Sequence, residues 1–208
     1  MGVGQSYHGG GHGIYQSHDG HRGHRDVGER DDCVIEALGK NNYRILDIGC
    51  NIGYSLMRLV EAGVGAPKLC TGIDVDQAYV KYAQDLAASK HLEIEFICEN
   101  FALRESIEPS RYDVILLYSV WDYFSVSSDV LHVVPGEANV LKLINIINPK
   151  YIVFEGHADG SVRMNNDLFE MGQTHESWTK IINKIGNSSF EFLKMTDNTR
   201  RPLYLIRR

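Results

Sequence analysis

Two aspartates and two glycines pose the chemical question in this chain. In the run Tyr-Arg-Ile-Leu-Asp-Ile-Gly-Cys-Asn-Ile-Gly at 43–53, an apolar stretch carries Asp47 and then turns through Gly49 and Gly53. An acid inside an apolar strand is costly to bury unless something pairs with it, so Asp47 is expected at the strand's carboxyl end, facing a ligand. The glycines permit a turn in which the backbone approaches that ligand with no Cβ in the way. A helix beginning near Ile52 then aims its first N–H groups at the same spot. Asp74, 27 residues further on, ends a second apolar run, Lys68 to Asp74. Strand ends that flank the switch point of a doubly wound sheet share one crevice, so both acids face one ligand. An acid after the second strand commonly holds a ribose by its hydroxyls.

A second group lies downstream. Glu155 and His157 in Val-Phe-Glu-Gly-His are two apart, so an extended chain points both to one side with Gly156 between them. A histidine oriented by a carboxylate is a candidate general base near neutral pH, and a satisfied loop histidine is the alternative. Asp122 in Ser-Val-Trp-Asp-Tyr reads either as a substrate contact or as a helix cap. Trp121 and Tyr123 beside it read as walls of an acceptor pocket or as core. A metal held by Asp122, Glu155, His157 and His175 has no compact ligand spacing behind it, and no metal is expected.

These residues need a frame. From Asp31, Val34, Ile35 and Leu38 mark a short helix capped by Gly39, and Leu56 to Val60 mark another that stops at Gly63. Asp76 to Ser89, Pro135 to Ile147 and Thr174 to Ile185 read as helices. Strands are expected at Glu93 to Cys98, Arg111 to Ser119, Lys150 to Glu155, Phe190 to Met195 and Leu203 to Ile206, and the polar stretch Ala158 to Gln173 as a loop over an acceptor. This order predicts an α/β fold: a doubly wound, mostly parallel seven-stranded sheet with helices on both faces and a C-terminal antiparallel hairpin. Residues 1–30 stand apart, holding nine of the twenty glycines and five of the nine histidines with no helical or strand period. They read as a flexible leader or as a lid contributing Tyr15, Gln16, Arg22 or Arg30, ahead of one domain at 31–208.

Composition narrows the function classes. A length of 208 residues with 43% hydrophobic and 23% charged residues suits one globular domain with a real core. No apolar run approaches the roughly 18 residues that cross a bilayer, and the first residues lack the pattern of a secretory signal. Cys33, Cys50, Cys70 and Cys98 are widely spaced, as reduced core thiols of a cytoplasmic protein are. A net charge of -6 disfavours a nucleic-acid substrate. The oligomeric state is not legible.

The dinucleotide fingerprint, Gly-x-Gly-x-x-Gly, is incomplete here, because Asn51 stands between Gly49 and Gly53. Asp47 just ahead would repel a pyrophosphate and suits a cationic ligand instead. On these residues the chain resembles the class I S-adenosylmethionine-dependent methyltransferases. Asp47, Gly49 and Gly53 match the family's first motif with Asn51 in place of its middle glycine. Asp74 in Gly-Ile-Asp-Val-Asp matches the acid of the second strand, Glu99 or Asn100 the polar position after the third, and Tyr-Asp-Val-Ile-Leu-Leu-Tyr-Ser-Val-Trp-Asp-Tyr the fourth-strand motif. The resemblance covers 43–208.

It implies S-adenosylmethionine as cofactor and a Rossmann-like methyltransferase domain. It sets Asp47 and the Gly49 turn beside the methionine part, Asp74 on the ribose hydroxyls and Val75 on the adenine. Glu99 or Asn100 would accept from the adenine amino group, and Ser119 and Val120 would lie near the methyl. The expected reaction is methylation of a small or medium metabolite, on oxygen, with His157, Glu155 and Asp122 as catalytic candidates. The alternatives are an RNA or protein methyltransferase using Arg200, Arg201, Arg207 and Arg208 as a basic patch, and a non-catalytic cofactor-binding scaffold. A dehydrogenase is disfavoured by the same incomplete fingerprint.

Overall fold

The computed structural model describes residues 16–17, 25–121, 124, 136–156, 162–164, 167–169, 175–186, 189–196 and 201–208. Seven strands form one sheet: β1 (Ile45–Ile48), β2 (Thr71–Asp74), β3 (Glu95–Cys98), β4 (Val114–Tyr118), β5 (Tyr151–Glu155), β6 (Phe190–Thr196) and β7 (Arg201–Arg207). Their spatial order is β6-β7-β5-β4-β1-β2-β3. β1 to β5 are mutually parallel, while β7 runs antiparallel between β5 and β6. The strand order reverses between β1 and β4, so a crevice opens at the carboxyl ends of these strands, as the alternating sequence pattern predicts.

The described helices are α1 (Gly28–Leu38), α2 (Tyr54–Glu61), α3 (Gln77–Ser89), α4 (Glu137–Ile147) and α5 (His175–Gly186). The alternation along each strand decides which helix packs where. Ile45, Leu116, Val153 and Leu205 share a core with Val34 of α1, Leu59 of α2 and Ala83 of α3. Leu46, Ile115, Phe154 and Ile206 point to the opposite face, against Leu143 of α4 and Trp178 of α5. Each buried aliphatic side chain of this kind contributes about 1.5–3 kcal/mol relative to an exposed one.

Several boundaries differ from the sequence reading. The second strand starts at Thr71 rather than Lys68, because Lys68 sits at φ 68° in a turn closed by Leu69 N–H to the Ala66 carbonyl. α1 begins at Gly28, three residues ahead of the expected Asp31. A short 3₁₀ turn, Phe101–Leu103, follows β3. Inside the expected loop at 158–173, Val162–Met164 and Asp167–Phe169 pair as an antiparallel ladder. Gln16–Ser17 pairs with Arg25–Asp26 in the leader. All four cysteines are free thiols; Cys50 and Cys70 are buried and Cys98 is exposed.

Candidate active site

The site grows from the end of β1. Asp47 pairs across the sheet with Leu116 of β4 and Gly72 of β2, so it lies on a central strand. It is 2% exposed, and its Oδ1 has no hydrogen-bond partner among the described residues. Burial pushes its carboxyl up to about 7; Arg30 pulls the other way, while Asp31 and Asp74 add to the rise.

The turn after β1 is built on three left-handed residues, Gly49 (φ 78°), Asn51 (φ 53°) and Gly53 (φ 72°). The sequence reading gave the glycines a ligand-approach role, and the structure supplies a different steric reason. A Cβ on Gly49 would lie 2.8 Å from Cγ2 of Val120, and one on Gly53 would lie 2.5 Å from the Phe96 ring. The space a side chain would occupy belongs to the protein's own packing. Asn51 keeps a buried Oδ1 without a partner among the described residues, and its N–H donates to Asp74 Oδ2 at 2.8 Å.

Asp74 ends β2 beside that turn. Its Oδ1 accepts the Asp76 N–H at 2.9 Å, and burial raises its pKa against these two backbone bonds. The cap of α3 is Asp76, whose Oδ1 accepts from Ala78 N–H and Tyr79 N–H. Asp74 is therefore not that helix's cap. Val75, next along, is an exposed large apolar side chain at 44%. Glu99 donates its N–H to the Asp74 carbonyl and lies 3.7 Å from Arg104. Asn100 caps the 3₁₀ turn, with Oδ1 accepting from Ala102 N–H at 3.0 Å.

On the other flank, β4 and β5 place Tyr118 opposite Glu155. Ser119 leaves β4 at φ 53° and donates its hydroxyl to Glu155 Oε2 at 2.8 Å, with the Gly156 carbonyl 3.3 Å away. Thr196 of β6 donates to Glu155 Oε1 at 2.8 Å. Glu155 is fully buried. Trp121 is buried too, edge-on to Phe124 and Phe154, which is a core placement. Asp122, Tyr123 and His157 lie outside the described residues, as do Tyr15, Arg22 and the leader histidines.

One residue of this region surfaced in the sequence only as a possible lid member. Arg30 of α1 is buried under the site, with its guanidinium 3.8 Å from the centroid of the Tyr118 ring. It pairs with Asp31 at 2.9 Å and Glu155 at 3.5 Å, and it donates to Ser55 Oγ. Burial alone would lower its pKa, and the two carboxylates outweigh that and raise it. The signal was present: Val27, Arg30, Val34 and Leu38 fall at helical spacing on one stripe, and all are buried.

The arrangement fits a cationic ligand that carries a ribose. Asp47 Oδ1 and Asn51 Oδ1 are buried acceptors without a hydrogen-bond partner among the described residues, Asp74 ends β2 beside them with each carboxylate oxygen accepting one backbone N–H, and Val75 is an exposed apolar side chain. The fold is a Rossmann-like α/β domain, with Asp47 in β1 and Asp74 at the end of β2.

Comparison with known proteins narrows the class. Residues 45–142 match the family described as "Methyltransferase domain". The fold is similar to the bifunctional kinase-methyltransferase WbdD, at 21% identity and TM-score 0.67, covering 93% of this chain and 43% of that one. It is also similar to magnesium protoporphyrin IX methyltransferase (ChlM) from Synechocystis PCC 6803 with bound SAM, at 17% identity and TM-score 0.59, covering 86% and 79%. A third likeness is the 16S rRNA methylase RmtB, at 15% identity and TM-score 0.57, covering 88% and 63%. No curated protein sequence matches the chain significantly. The chain spans less than half the length of the WbdD chain it matches. The family match assigns a methyltransferase domain to residues 45–142, and the similar solved structures share its fold.

Proposed function

We propose that the protein methylates a small or medium metabolite on oxygen. The observation that carries this reading is the fate of the C-terminal arginines. Arg207 pairs with Glu191 at 2.8 Å, and Arg208 donates to the Ile144 carbonyl at 3.2 Å and to Asn145 Oδ1 at 2.7 Å. These two cations are engaged by the fold, Arg200 lies outside the described residues, and the chain's net charge of -6 gives no general attraction to a polyanion. The likeness to ChlM, a methyltransferase of magnesium protoporphyrin IX, lends the small-acceptor reading support, and the likeness to RmtB keeps RNA as the outcome to exclude.

The bound cofactor supplies an electrophilic methyl on a sulfonium. Asp47 and Asn51 would hold its amino-acid part, Asp74 its ribose and Val75 its adenine, with Glu99 or Asn100 at the adenine edge. Gly49 and Gly53 shape the turn beneath, and Ser119 and Val120 border the methyl. The chain's work is alignment of the acceptor with that methyl and exclusion of water. An acceptor hydroxyl methylated there would have to give up its proton, and a residue of this chain would have to receive it. His157 and Asp122, which follow β5 and β4 in the sequence and lie outside the described residues, are the candidates to receive it. Glu155, with both carboxylate oxygens engaged, is better suited to fixing Ser119 than to meeting an acceptor.

The test is incubation with methyl-labelled S-adenosylmethionine and, separately, a pool of hydroxylated metabolites, total RNA and total protein. Label in the metabolite fraction, lost in His157→Ala, is expected. Salt-sensitive label in RNA, or label in protein, would replace this reading. Cofactor binding without label in any fraction would mark a scaffold.

A further inference from the structure

Among the described residues Arg30 is the only buried cation, and it sits among three buried carboxylates, Asp31, Asp47 and Glu155. Stability does not require such a group, since apolar replacements of buried ion clusters are often neutral or stabilising. Its location is what stands out. Tyr118 and Glu155 are cross-strand partners and Asp47 is on the adjoining β1, so Arg30 reaches the carboxyl ends of three neighbouring strands from a helix outside the sheet.

Two lines of contact lead from it to the cofactor turn. The first is mechanical. Arg30 meets Glu155 Oε2, which takes the Ser119 hydroxyl; Ser119 holds a left-handed φ of 53°, and Val120 beyond it fills the space over Gly49. The second is electrostatic. The groups acting on Asp47 are Arg30 and Asp31 of α1 and Asp74 at the end of β2, with Tyr118 of β4 and Glu155 of β5 in the same cluster, and Arg30 alone is positive. With Arg30 in place, the Asp47 carboxyl titrates at about 7.

We propose that Arg30 is a positioning residue of the cofactor site, holding the Ser119–Val120 turn through Glu155 and balancing the charge around Asp47. This rests on the placement of the methyl donor beside Asp47. The donor's sulfonium and ammonium outweigh its carboxylate by one positive charge, which the cluster's excess of acid accommodates. α1 is thereby part of the site.

The test is equilibrium binding of S-adenosylmethionine between pH 5.5 and 9 for the wild type, Arg30→Lys, Arg30→Met and Ser119→Ala. Wild-type affinity rises with pH as Asp47 ionises. Arg30→Met should bind about tenfold or more weakly at pH 7 and move the midpoint up by about one unit, since the cation favouring ionised Asp47 is gone. Arg30→Lys keeps the charge and loses the planar fork, so its midpoint stays while affinity falls severalfold. Ser119→Ala should weaken binding without moving the midpoint. Wild-type affinity and midpoint in both Arg30 variants would overturn the proposal, as would a loss that tracks only the folded fraction. Should the Met variant not fold, wild-type affinity in Arg30→Lys and Ser119→Ala overturns it equally. A wild type that binds no S-adenosylmethionine would instead refute the cofactor placement beneath it.

Discussion

Asp47→Asn should stabilise the protein without cofactor while disabling its site. The carboxyl is 2% exposed, its Oδ1 is unpartnered, and its pKa stands at about 7 against an ordinary 3.8. A rise of about three units corresponds to about 4 kcal/mol of destabilisation once the group is ionised in both states. The asparagine amide, itself buried, gives back about 1–3 kcal/mol of this, leaving a net gain of about 1–3 kcal/mol.

The sign follows from proton counts. Between pH 4 and 7 the folded state holds a proton that the unfolded state has lost, so wild-type stability falls as pH rises through that window and levels off above it. The variant's advantage is therefore absent near pH 4 and full by pH 8.5. Urea melts at half-unit pH steps measure it directly, and a Tm difference of about 2–4 °C per kcal/mol should accompany it at this chain length. A variant destabilised equally at every pH would refute the reasoning, since the aspartate would then be contributing a native interaction rather than an uncompensated charge.

Other perturbations follow from the same geometry. Gly53→Ala meets both a left-handed φ and the Phe96 ring 2.5 Å from its new methyl, so a loss of about 2–4 kcal/mol is expected in urea unfolding. At the far end of the sheet Asp113 accepts from Arg44 at 2.8 and 3.0 Å and lies 3.2 Å from Lys150, and the Arg44 hydrogen bonds hold its pKa well below the carboxylate range. Its contribution is present above the unfolded pKa near 4 and is lost as pH falls toward the folded value. With Arg44 and Lys150 partly in solvent, Asp113→Asn should cost only about 1 kcal/mol at pH 7 and progressively less as pH falls below about 4 toward the folded value.

Legibility in the sequence tracked how local the cause was. The strands that carry Asp47 and Asp74, the glycine turn and the closing hairpin could be read because apolar period, turn chemistry and acids near strand ends are properties of short windows. Lys68 misled because Lys68-Leu-Cys reads as strand while the preceding Gly-Ala-Pro turn forces a left-handed residue into it. Arg30 escaped because a cation on an apolar stripe reads as a helix edge until its carboxylates arrive from Glu155, 125 positions away. Glu155 read as half of a base pair with His157, and the donor from Thr196 that helps engage it comes from a strand 41 residues downstream. Asp74 and Asp76 are both acids ahead of one helix, and only their hydrogen bonds separate the cap from the site residue.

The central claim is that the crevice at the ends of β1 and β2 binds S-adenosylmethionine. Thermal unfolding with and without the cofactor tests it most directly. At a ligand concentration of a hundred times Kd, stabilisation is about 2.7 kcal/mol, a Tm rise of roughly 5–11 °C for a chain of this size. The rise should persist in Asp76→Ala, which loses only a helix cap, and vanish in Asp74→Ala. No shift in the wild type at millimolar cofactor, or an undiminished shift in Asp74→Ala, would contradict the account.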